Sequence, residues 1–166
     1  MYKTLFLDFD NTLANSMKQL IYLYSLYDKD LPIPHNQDFC LKWNMEDIFP
    51  DPKSDLIHNI FETESFFDGL QLFDGVYPTL KQASEISKIV IVSIGTYKNC
   101  ILKGEYIQKH LPFCDYIPII QKHTDTFNKS IIQMRDGIFI DDRTDCLKSS
   151  NARTKIQYRH LGLPYE

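Results

Sequence analysis

Five short runs of β-branched and aromatic residues punctuate the chain: residues 2–9, Lys88–Ile94, Tyr116–Ile120, Gly137–Ile140 and Lys155–Tyr158. Each is short and nearly continuous in apolar character, which is the pattern of a strand rather than of an amphipathic helix. Helical spacing lies between them, with Leu80, Ala83 and Ile86 on one face and Leu102, Tyr106 and Ile107 on the next. Strands alternating with helices predict an α/β fold with a doubly wound parallel sheet. At 166 residues and 43% apolar content the chain can bury one core but not two ordinary ones, so a single domain over residues 1–166 is expected.

About 60 residues without a strand-like run separate the first run from a helix starting near Pro78, too many for an ordinary strand-to-helix connection. A small helical cap is therefore expected over 16–72, inserted after the first strand, with the core formed by 1–15 and 73–166. Its helices are expected at Met17–Tyr27, ended by the two prolines of Asp28–Pro34, then at Gln37–Trp43 and Lys53–Glu62. Gly69–Gly75 would return the chain to the core.

The formal net charge of -4 and the lack of any Lys/Arg run argue against stable binding to nucleic acid. The longest apolar-leaning stretch, Leu20–Leu26, falls well short of the roughly 20 residues that span a bilayer, so no membrane segment is expected. Four cysteines without a Cys-x-x-Cys pair, and no charged and apolar leader, read as a reduced, cytoplasmic protein.

The first run ends in Asp8-Phe9-Asp10, which sets two carboxylates on one side of the chain at a strand's carboxyl end, where open α/β sheets bind ligands. Asn11-Thr12 opens the following turn and offers backbone N–H groups to an anion. On its own such a pair is as easily a solvated acidic turn. A second strand, Gly137–Ile140, ends in Asp141-Asp142, and two acidic strand ends brought together would hold a hard cation through oxygen. One acid of that pair could instead cap the helix that follows. Ser93 ends the run Ile89–Val92, and Lys129 precedes the apolar Ile131-Ile132; alone, each is an ordinary turn serine or solvated lysine.

Taken in order, Asp-x-Asp-x-Thr-Leu, Ser after a strand, Lys before a helix and Asp-Asp after a strand resemble the four motifs of the haloacid dehalogenase superfamily, over residues 1–15 and about 73–160. The resemblance implies that the first and fourth strands lie side by side at the switch in winding direction. It implies a phosphatase in which Asp8 is the nucleophile and Asp10 the general acid and base. It further implies magnesium held by Asp8, the Asp10 backbone carbonyl and an acid of the Asp141-Asp142 pair, Asp142 being the first choice. Ser93 and Lys129 would stabilise the transferring phosphoryl group, with Asn11, Thr12 and Ile94 completing the phosphate site.

Phe66-Phe67, Gly75-Val76 and the stretch Tyr97–Cys100 with Lys103 and Leu111-Pro112-Phe113 are similar to the 5'(3')-deoxyribonucleotidases. Two departures stand out: Ser93-Ile94-Gly95-Thr96 replaces the usual Thr-Ser-Pro, and Asn11 replaces the usual Gly. The implied substrate is a small phosphate ester, a (deoxy)nucleoside monophosphate, whose base would stack on cap aromatics such as Trp43, Phe66 and Phe67. A sugar or other metabolite phosphate is the alternative, a silent binding domain a remoter one, and a homodimer is compatible with either enzyme.

Overall fold

A computed structural model describes residues 4–27, 54–122 and 127–159. The strands are β1 (Thr4–Leu7), β2 (Lys88–Gly95), β3 (Asp115–Ile120), β4 (Gly137–Asp141) and β5 (Thr154–Gln157). They form one sheet in the order β3-β2-β1-β4-β5, every neighbouring pair parallel. The chain winds outward from β1 through β2 to β3, then returns to the other side of β1 for β4 and β5. The switch point therefore lies between β1 and β4, and their carboxyl ends share one edge.

Alternation along the strands assigns the two faces. Leu7, Ile89 and Ile91 join one apolar cluster with Leu20, Phe66, Leu80, Tyr106 and Ile107, whereas Phe6, Val90, Val92 and Phe139 join a second with Met134 and Leu147. Helices α4 (Val76–Ala83) and α5 (Tyr97–His110) cover the first face and α6 (Thr144–Ser149) the second. Gly137 lets β4 close onto β1, because a Cβ there would sit 2.9 Å from the Thr4 carbonyl oxygen.

Between β1 and α4 the described residues contain α1 (Ser16–Tyr27), α2 (Ser54–Ile60) and α3 (Glu64–Gly69). Their buried side chains, Met17, Leu20, Tyr24, Ile57, Ile60, Phe66 and Phe67, belong to the same cluster as Leu7 and Phe9. The outgoing and returning chains touch at a neck, where Asn15 N–H donates to Gln71 O and Phe73 N–H to Leu13 O, each at 2.9 Å. The helix expected over Gln37–Trp43 lies outside the described residues.

Two expectations are corrected. Helix α4 stops at Ala83, because Ser84 closes it by donating its N–H to Leu80 O and the chain must turn to enter β2 at Lys88. Ile86, expected on the helix face, is consequently 80% exposed. No helix follows Lys129 either: the residues after it form only a turn, closed by Ile132 N–H on Lys129 O.

Candidate active site

Asp8 is the first residue beyond β1, and its N–H extends the ladder to Ile140 O at 2.9 Å. The chain then folds back at once: Leu13 and Ala14 N–H both donate to Phe9 O, and Asn11 takes a left-handed φ of 55°. Asparagine tolerates that region better than most residues, which is the local reason it can hold this turn. Its side chain adds a second anchor by accepting from Met17 N–H, at 3.0 Å, at the start of α1.

The end of β4 arrives beside this turn. Asp142 N–H donates to Thr12 Oγ1 at 3.2 Å, locking the two strand ends together. One carboxylate oxygen from each of Asp8, Asp141 and Asp142 lies within 4.8 Å of the others, and all three residues are buried. Lys129 reaches into this group, donating to Asp8 Oδ1 (2.5 Å), Asp141 Oδ2 (2.7 Å) and Val92 O (2.9 Å). Asp141 also accepts from Arg143 N–H through its other oxygen, so both its oxygens are engaged by protein donors.

Burial pushes the Asp8 carboxyl up to about 7; Lys129 pulls it down, and Asp141 and Asp10 push it up further. For Lys129, burial opposes the charge but the Asp8 and Asp141 carboxylates outweigh it, and its ammonium is held above the ordinary lysine range. One ammonium against three clustered carboxylates leaves an excess of negative charge on oxygen donors. That donor set fits a hard divalent cation such as magnesium.

Asp10 faces a separate set of donors. Ser16 Oγ donates to its Oδ1 at 2.6 Å, and Ser93 Oγ and Lys103 Nζ to its Oδ2 at 3.3 and 2.5 Å. Lys103 also donates to Ser93 Oγ at 2.8 Å and is only 1% exposed. Lys103 belongs to the stretch similar to the nucleotidases, but its spacing alone assigns it no role. The available signal was its position on the buried face of α5 with Asn99, Cys100, Tyr106 and Ile107, where an unpaired ammonium would be costly.

The remaining expected residues divide plainly. Ser93 lies at the end of β2 against Asp10, while the side chain of Ile94 packs toward the second apolar cluster. Phe66 and Phe67, expected to face substrate, lie instead inside the core at 0% and 7% exposure. Phe66 packs on Phe61 with ring centroids 4.9 Å apart, and Phe67 on Tyr106 at 6.3 Å. Trp43 lies outside the described residues.

A doubly wound parallel sheet with acids converging at the β1/β4 switch point is the architecture of haloacid dehalogenase-type hydrolases. Solved members share it: a subfamily IA hydrolase from Geobacter sulfurreducens (TM-score 0.62, 11% identity, covering 99% of this chain and 92% of that one) and a hydrolase from Bacillus subtilis solved bound to magnesium (TM-score 0.57, 13% identity, 91% and 84%). Within that class, residues 2–161 match the family described as 5' nucleotidase, deoxy (pyrimidine), cytosolic type C, and the chain belongs to it. A 5'(3')-deoxyribonucleotidase from Clostridium acetobutylicum is 30% identical over 139 residues, 84% of this chain and 72% of that protein. The protein is thus a phosphatase of the nucleotidase family. Among the described residues no helix is long and apolar enough to cross a membrane.

Proposed function

We propose that the chain is a magnesium-dependent phosphomonoesterase that removes the phosphate of (deoxy)nucleoside monophosphates through a phosphoryl group carried on Asp8. The observation that carries this reading is the pairing of two carboxylates with different partners on one sheet edge: Asp8 in the acidic cluster with Lys129, and Asp10 outside it under Ser16, Ser93 and Lys103.

Asp8, Asp142 and the Asp10 carbonyl would hold magnesium, with Asp142 favoured over Asp141 because both Asp141 oxygens already accept from Lys129 and Arg143 N–H. When bound, the ion offsets the repulsion between an anionic nucleophile and a phosphate dianion and polarises the phosphoryl oxygens.

The chain supplies the rest. An Asp8 oxygen attacks phosphorus in line with the ester oxygen, which departs with a proton from Asp10. Asp10 then takes a proton from the water that opens the aspartyl-phosphate. Lys129, Ser93 and the N–H groups of the Asn11-Thr12 turn receive the charge on the transferring oxygens.

The segment 16–72 acts as the cap over a core of 1–15 and 73–166. With Phe66 and Phe67 committed to packing, Trp43 and Phe39 are the cap aromatics proposed to meet the base. A cytoplasmic setting accords with the free thiols of Cys100, Cys114 and Cys146.

The deciding experiment is a magnesium-supplemented panel of nucleoside 5'- and 3'-monophosphates, deoxy and ribo, beside sugar phosphates. Deoxynucleotides should lead in kcat/KM. Equal, low rates on all nucleotides, or a sugar phosphate far ahead, would remove the substrate assignment and leave the phosphatase chemistry standing.

A further inference from the structure

The turn between α2 and α3 reaches across to the strand end that carries Ser93. Thr96 Oγ1 donates to Glu62 Oε1 at 2.6 Å and accepts from Asn99 N–H, so one hydroxyl both caps α5 and binds the turn. Next to it, Asn99 Nδ2 donates to Phe61 O at 2.8 Å. Thr96 lies three residues beyond Ser93, which belongs to β2, and directly after that strand's end at Gly95.

The turn is stiff in itself. Thr63 caps α3 by accepting from Phe66 N–H and donates to Ile60 O at 2.7 Å. Beneath it, the rings of Phe61, Phe66, Phe67, Tyr106 and Phe9 form a continuous ladder, with successive centroids 4.9, 5.1, 6.3 and 5.8 Å apart. The turn is therefore attached in two different ways. The ladder is largely buried, whereas the bond from Thr96 to Glu62 joins two half-buried groups and water can replace it at small net cost. The carboxylate of Glu62 also sits against the amino-terminal end of a helix of 14 residues, where a negative charge is favoured.

We propose that Glu62 is a positioning residue that, through Thr96, couples the α2–α3 turn to the carboxyl end of β2, which carries Ser93, so that the turn is seated when the phosphate site is occupied. Glu62 has no part in the chemical step itself. Losing the coupling lowers the fraction of molecules with the turn in place, and the apparent affinity for substrate falls with that fraction.

This assignment rests on the phosphatase reading; its exchange test needs only that magnesium and phosphate bind, not that an ester is hydrolysed, so the two can fail separately. Glu62→Ala should raise KM by about tenfold, the equivalent of about one rim interaction of this kind, with kcat within about twofold of wild type. Glu62→Gln keeps an oxygen acceptor without the charge and should fall between. Both p-nitrophenyl phosphate and a deoxynucleotide serve as substrates, so the result does not depend on which ester is natural.

In parallel, hydrogen exchange at residues 61–66 should be slowed in wild type by magnesium with inorganic phosphate, and this slowing should be lost in Glu62→Ala. Wild-type KM and unchanged exchange in Glu62→Ala overturn the coupling. A fall in kcat at unchanged KM also overturns it, by placing Glu62 at the chemical step.

Discussion

Lys103 and Lys129 are both 1% exposed, and they divide the acids at the sheet edge between them. Lys129 takes Asp8 and Asp141; Lys103 takes Asp10 together with Ser93. Truncating either leaves buried carboxylates without their compensating charge, but the consequences differ.

Lys129→Met strands Asp8 and Asp141, and metal-free stability should drop by about 3–5 kcal/mol, read from urea unfolding. Lys103→Met instead frees the partly buried Asp10 to leave its productive position. Its expected signature is a fall in kcat of about 10²-fold or more, with a smaller change in stability than Lys129→Met. A wild-type kcat in Lys103→Met would show that Lys103 does not hold Asp10 in its productive position. Asp8→Asn should abolish turnover, by more than about 10³-fold, while circular dichroism stays native.

These residues also show what a sequence can and cannot reveal at this scale. Asp8, Asp10, Asp141 and Asp142 follow apolar runs whose length marks where the strand ends, so their place at strand ends was legible, and the family resemblance supplied their meeting. Lys103 was not, because a lysine in a helix reads as solvated until the packing of its face is known.

At the scale of elements, the turn after β1 is decided by backbone conformation as much as by its acids. Asn11→Ala must hold a φ of 55° with a Cβ and without the side-chain bond to Met17 N–H. The left-handed conformation costs roughly 1–2 kcal/mol for an ordinary residue and the lost bond about 1 more, so chemical denaturation should show a loss of about 2–3 kcal/mol. Asn11→Gly relieves the strain and gives up only the bond, and should lose about 1 kcal/mol. A larger loss for glycine than for alanine would refute this account of the turn.

A parallel, doubly wound sheet was readable from the alternation of strand and helix, whereas the side-by-side placing of the first and fourth strands came from the family resemblance. Three local features were not, each because tertiary context overrode pattern. Ile86 continues a helical spacing that Ser84 has already ended. Lys129 begins a turn rather than a helix, since its side chain must run inward to Asp8. Phe66 and Phe67, adjacent aromatics on a segment expected to cap the site, both turn into the core because α3 packs against α5.

For the molecule as a whole, the acidic cluster links stability to pH and to metal. The Asp8 carboxyl has an ordinary value of 3.8 and is raised by burial to about 7 in the folded protein. Between those values the native state holds a proton that the unfolded chain has released. Unfolding free energy therefore falls as pH rises across that window, the reverse of an acid stabilised by a salt bridge. A divalent cation needs the carboxylate form, so its affinity rises over the same window.

The two dependences meet in one measurement. Without metal, the melting temperature should decline from pH 5 to pH 7.5. Magnesium at about 100 times its dissociation constant adds about 2.7 kcal/mol, or roughly 5–10 °C for a chain of this size, and should do so at pH 7.5 while adding far less at pH 5. In Asp8→Asn the metal-free decline should flatten and the magnesium shift should shrink, since that variant has neither the proton nor the ligand oxygen. A magnesium shift of equal size at both pH values, or one untouched by Asp8→Asn, would place the cation elsewhere than in the Asp8, Asp141 and Asp142 cluster.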